Sequence, residues 1–150
     1  MVRALFLTGG PMTDAELREI LTATRTIALL GFSANPDRPA HAVAAFLQAR
    51  GYRVIPVNPG LAGQVALGET VHADLAAIPK EIVIDMVDVF RAPEAVPGVV
   101  DQMLAHRPEA RVLWLQLGVI HPEAAARARA AGKLVVMDRC PKIEIARLGM

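Results

Sequence analysis

Hydrophobic and polar positions alternate along this chain in two patterns: short unbroken apolar runs, and longer segments with apolar residues three or four apart. The first helical segment opens at Thr13-Asp-Ala-Glu16, a Ser/Thr-x-x-Glu capping box followed by Leu17, Ile20 and Leu21. Thr26–Leu30 is an apolar run ending at Gly31, the pattern of a strand covered on both faces. Pro39 begins the next helix, with Val43, Phe46 and Leu47 inward and Gly51 as its stop. Arg53–Val57 predicts a second strand closed by Asn58-Pro-Gly60, after which a Gly-dotted connection runs to about Thr70. Asp74–Ile78 predicts one helical turn and Ile82–Val87 a third strand. A helix from Pro93 carries Val96, Val99, Val100, Met103 and Leu104, and the alternation continues through a strand at Val112–Leu117 and an Ala-rich helix at Pro122–Ala131. Leu134–Met137 predicts a fifth strand and Lys142–Leu148 a last helix. Residues 1–12, with a short apolar stretch at Ala4–Leu7 and Gly9-Gly10-Pro11 behind it, read as an extension ahead of a single domain spanning 13–150.

Apolar strands alternating with helices across short turns predict an α/β fold, a three-layer α/β/α sandwich around a mainly five-stranded parallel sheet. Ligands in such sheets bind beyond the carboxyl ends of the strands, where strand order reverses. The expected site therefore lies among Gly31–Arg38, Asn58-Pro59, Asp88–Arg91 and Gln116–Gly118.

Gly31 stands where the first sheet strand turns into a helix, whose free N–H groups attract anions. Phe32-Ser-Ala-Asn-Pro-Asp-Arg-Pro39 contains no further glycine, so the G-x-G-x-x-G dinucleotide signature is absent. Asn58 stands where NAD proteins place an acid for the ribose, and no P-loop occurs. Ser33 and Arg38 are candidate phosphate donors, Arg38 alternatively a partner for Asp37, and His41 a third donor or a half-buried packing residue. Phe90 and Arg91 offer an aromatic face and a cation for a nucleotide, or else a core ring and a partner for Glu94 or Asp88. Gln116 and Gly118 add an amide and a close-approach glycine.

Catalytic groupings are thinner. Asp85 and Asp88 lie on opposite faces of a strand, which argues against an acid/base pair. His121 before Pro122 reads as a helix cap. Cys140, between Arg139 and Lys142, is either a packing residue or an acidified thiol.

Charge and composition narrow the classes. The 150 residues carry 16 Lys+Arg against 15 Asp+Glu, a net charge of +1 that disfavours coating nucleic acid or an anionic membrane. A polyanionic ligand must then be met by a few placed groups. The single cysteine excludes an internal disulfide and fits a reducing cytoplasm, and the four histidines have no metal-ligand spacing. No apolar run approaches the roughly 20 residues of a membrane span.

Five blocks then carry a likeness: Ala28–Pro39, Gly51–Gly60, Val87–Arg91, Trp114–Gly118 and Val136–Cys140. With these the chain resembles the small single-domain coenzyme A (CoA)-binding proteins, whose domain is similar to the amino-terminal domain of the succinyl-CoA synthetase alpha subunit. The resemblance implies a Rossmann-like fold with the ADP part of CoA at the strand ends. It implies phosphate contacts from Gly31, Ser33 and Arg38, with Phe32 and His41 in the same part of the site, adenine and ribose-phosphate contacts from Asn58, Pro59, Val89, Phe90 and Arg91, and Gln116 and Gly118 nearer the pantetheine. The synthetase's phosphohistidine domain and nucleotide-binding subunit have no counterpart in these residues. The expectation is a non-catalytic sensor, carrier or docking module for CoA or an acyl-CoA, pairing with itself or with a larger CoA enzyme. The alternative is an enzyme using a thioester or dinucleotide through Cys140 or Asp88.

Overall fold

The computed structural model describes residues 11–150. In chain order these form α1 (Asp14–Ala23), β1 (Thr26–Leu30), α2 (Pro39–Ala49), β2 (Arg53–Val57), a two-residue hairpin of β3 (Val65–Ala66) and β4 (Glu69–Thr70), β5 (Met86–Val89), α3 (Val96–His106), β6 (Val112–Leu115), α4 (Pro122–Ala130), β7 (Leu134–Val136) and α5 (Pro141–Arg147). Single 3₁₀ turns at Pro59–Leu61 and Pro93–Ala95 precede the hairpin and α3. Of the expected extension, residues 1–10 lie outside the described residues, while Met12 packs on the core.

The five-stranded sheet is parallel throughout, in the order β2-β1-β5-β6-β7. The chain steps from β1 outward to β2, then returns past β1 to β5, so the order reverses between β1 and β5. Helices α1, α2 and α5 cover one face with Leu17, Leu47 and Ile145, and α3 and α4 cover the other with Val100 and Ala125. Sheet register assigns each row of side chains to one of these layers. Ala28, Val87, Leu113 and Val135 face α3 and α4, whereas Leu29, Asp88, Trp114 and Val136 face α1, α2 and α5.

Local chemistry explains most of the boundaries. Thr13 accepts from the Glu16 N–H and Glu16 accepts from the Thr13 N–H at 2.8 Å, the reciprocal box that starts α1. His121 caps α4 through Nδ1, which accepts from the Ala124 N–H at 3.1 Å. Two expectations are corrected. Asp74–Ile78 makes turns instead of a helix, and the third strand begins at Met86 and continues to Val89. Ile82–Ile84 fall before the sheet because Asp85 caps the start of β1, accepting from the N–H groups of Arg25 at 3.0 Å and Thr26 at 2.9 Å.

Candidate functional site

Gly31 ends β1 at the reversal of strand order with φ +82°, a left-handed conformation that favours glycine. A Cβ there would overlap the carbonyl oxygen of Phe90, at the end of neighbouring β5. The glycine is thus required by the protein's own backbone. Its N–H and that of Phe32 both donate to Val57 O, at 3.0 and 3.2 Å, and so are spent on joining β1 to β2.

Beyond Gly31 the chain forms two nested turns. The Asn35 N–H donates to Ser33 Oγ at 3.1 Å, and the Asp37 N–H donates to Asn35 Oδ1 at 3.0 Å. His41 Nδ1 donates to Ser33 O at 2.9 Å, and its ring lies 5.4 Å from that of the fully buried Phe32. His41 is therefore a brace beneath the turn. Arg38 occupies the N-cap of α2 without a capping side-chain bond, and its exposed guanidinium has no partner among the described residues. Asn58 ties the ends of β1 and β2 together: Nδ2 donates to Phe32 O at 2.7 Å and Oδ1 accepts from the Gly60 N–H at 2.8 Å.

These turns wall two cavities that meet at Gly31 and Asn58. The first, about 580 Å³, lies over the α2 start and is lined by Ser33, Asn35, Arg38, Leu61 and Phe90, among others. The second, about 500 Å³, opens toward α3, with Leu30, Val57, Leu75 and Val99 in its floor and Pro59, Asp74, Arg91, Glu94 and Gln102 around it. Volumes of this order are typical of small-ligand sites.

Nine of the twelve expected site residues thus line these cavities or brace their walls: Gly31, Phe32, Ser33, Arg38, His41, Asn58, Pro59, Phe90 and Arg91. Val89, Gln116 and Gly118 line neither. Val89 is fully buried within β5 and faces the α3 layer. Gln116 is 4% exposed, and its Nε2 donates to both carboxylate oxygens of Asp88, at 3.1 and 3.4 Å. The Gly118 N–H donates to Asp138 Oδ1 at 2.8 Å. Asp88 is a strand residue with no exposure, and burial pushes its carboxyl up to about 7, an effect that Gln116 only partly offsets. Cys140 is buried at the start of α5 and belongs to a different cavity, beside Arg139 and Leu117.

The α3-side wall also holds Ala73, Leu75, Ala95, Gly98 and Gln102, which no expected site position includes. Arg107, 1% exposed, donates to the carbonyls of Leu75 and Ile82 at 3.1 Å each, Pro79 at 3.3 Å and also Ile78, and thereby holds the segment that carries Asp74 and Leu75. Pro59 and Arg91 on this cavity are expected site residues, and Asp74, Glu94 and Val99 carry local signals of other kinds. Among the described residues no group of three or more His, Cys, Asp or Glu is placed to hold a metal ion, and no helix is long and apolar enough to cross a membrane.

Comparison with known proteins places this geometry. A family model described as a CoA binding domain matches residues 25–146. The uncharacterized protein YneT of Bacillus subtilis is 40% identical over 131 residues, covering 87% of this chain and 93% of YneT. The solved structure of cell-free ID.343 from Thermus thermophilus superposes with a TM-score of 0.85 at 42% identity, covering 91% of this chain and 99% of that one. A hypothetical protein from Pyrococcus horikoshii OT3 superposes with the same score at 35% identity, covering 95% and 99%.

Proposed function

Because the chain belongs to the CoA binding domain family, we propose that it binds CoA or an acyl-CoA across the carboxyl edge of its sheet, as a non-catalytic sensor, carrier or docking module. Arg38 is the observation that carries this reading. An arginine without a protein partner among the described residues, at the uncapped start of an 11-residue helix and on the wall of a cavity, is suited to phosphate oxygens. Ser33 and Asn35 supply neutral polar groups beside it, and Phe90 supplies a flat apolar edge.

The non-catalytic role is supported by the surroundings of the two reactive candidates. Asp88 is fully buried on β5 and bonded to Gln116, and Cys140 lies on another cavity. The free, buried cysteine fits residence in a reducing cytoplasm. A second copy of the chain or a larger CoA enzyme is the partner class this role calls for.

Isothermal titration of the full chain with CoA, NAD and ATP tests the proposal. CoA is expected to bind with higher affinity than either nucleotide. Binding of NAD or ATP without detectable CoA binding would overturn it.

A further inference from the structure

The two cavities differ in charge and in floor, and this difference orients a two-ended ligand. Arg38 is the one charged side chain among the described residues that lines the α2-side cavity. The α3-side cavity sets Asp74 and Glu94 against Arg91, an excess of acid that disfavours phosphate, and its floor is apolar. Gly98 adds a further feature. It is the third residue of α3, it lines the cavity at its solvent-exposed rim, and a Cβ built on it meets nothing within 4 Å. A glycine costs helix stability relative to alanine, and here no neighbour requires it. What its missing side chain leaves is an unobstructed rim that a longer side chain would cover.

Resting on the CoA reading above, we infer that the α3-side cavity takes the uncharged hydrocarbon acyl group of a CoA thioester, with the phosphates held on the Arg38 side and the ligand crossing at Gly31 and Asn58. The chain is then a receptor for acyl-CoA in preference to free CoA. Burying part of a four-carbon acyl group against Leu30, Val57 and Val99 yields a preference of about tenfold.

Calorimetric titration of the wild-type chain and of Gly98→Leu with butyryl-CoA, CoA and adenosine 3′,5′-bisphosphate tests this, with thermal melts to confirm folding. The leucine side chain enters open space on a helix, so the variant is expected to melt no lower than wild type. The expected result is butyryl-CoA about tenfold tighter than CoA on wild type, a preference reduced to within about twofold in Gly98→Leu, and unchanged binding of the bisphosphate. Equal affinities for butyryl-CoA and CoA on wild type, or a preference that survives Gly98→Leu, would overturn the inference while leaving the CoA reading standing. Failure of wild type to bind any of the three would overturn both.

Discussion

Two irregular segments, residues 31–38 and 74–84, wall the two cavities, and each is associated with one arginine. Arg38 stands exposed at the start of α2 with no partner among the described residues, while Arg107 is buried and donates to four backbone carbonyls. The difference lies in what each segment does with its backbone groups. In 31–38, side chains of Ser33, Asn35 and His41 satisfy the turn locally and the carbonyl of Val57 on β2 takes the N–H groups of Gly31 and Phe32, so the arginine is left over. In 74–84 the carbonyls of Leu75, Ile78, Pro79 and Ile82 converge on one point, and a buried cation is what pairs them. An arginine that completes a fold and one left without a partner among the described residues are the same residue type in different backbone surroundings.

The largest expected effect breaks the second segment. Arg107→Ala strands four carbonyls and is expected to cost about 4–6 kcal/mol, or to abolish folding, in urea titration. A loss below about 1 kcal/mol would show that the clasp carries no weight.

Next comes the buried carboxyl of Asp88, on the central strand β5. The unfolded chain gives up the Asp88 proton near the ordinary value of 3.8, whereas the folded chain keeps it to about 7. Between those values the folded state binds more protons, so stability falls as pH rises, by about 4 kcal/mol in all, and levels off above about 7. Asp88→Asn should abolish this slope and be the more stable protein at pH 8. Parallel stability profiles of the two chains from pH 4 to 8 would contradict the assignment.

A smaller effect separates architecture from ligand at the first segment. Gly31→Ala meets the Phe90 carbonyl in a left-handed conformation and should cost about 3 kcal/mol without any ligand present. If stability is unchanged and only CoA affinity falls, the glycine serves the ligand instead.

The smallest effect on the fold is expected from Arg38→Ala. Stability should move by less than about 0.5 kcal/mol, while CoA binding weakens by about 1.5–3 kcal/mol in calorimetry. A variant that melts markedly lower would align Arg38 with Arg107 and erase the contrast.

Legibility in the sequence followed the range of the interactions. The capping box at Thr13, the histidine cap at His121 and the apolar run Thr26–Leu30 involve neighbours within a few residues, and each appears where the pattern predicts. The third strand is displaced because Asp85 holds backbone N–H groups some 60 positions away, a partnership no local window contains. Gln116 matched a binding position by its place after β6, yet register turns it toward Asp88 on the neighbouring strand.

Periodicity, caps and turn residues therefore determined the order and type of the five sheet strands and five helices, though not the β3–β4 hairpin, and brought Gly31, Ser33, Arg38 and Asn58 to one sheet edge. Those signals act within one or two turns of chain, where spacing alone specifies the neighbour. Only the tertiary structure decided which of these groups remain free, because hydrogen-bond partners are allotted between segments distant in sequence. It spent the Gly31 N–H on Val57, closed Gln116 onto Asp88, left Arg38 without a partner among the described residues, and opened a second cavity beside Gly98.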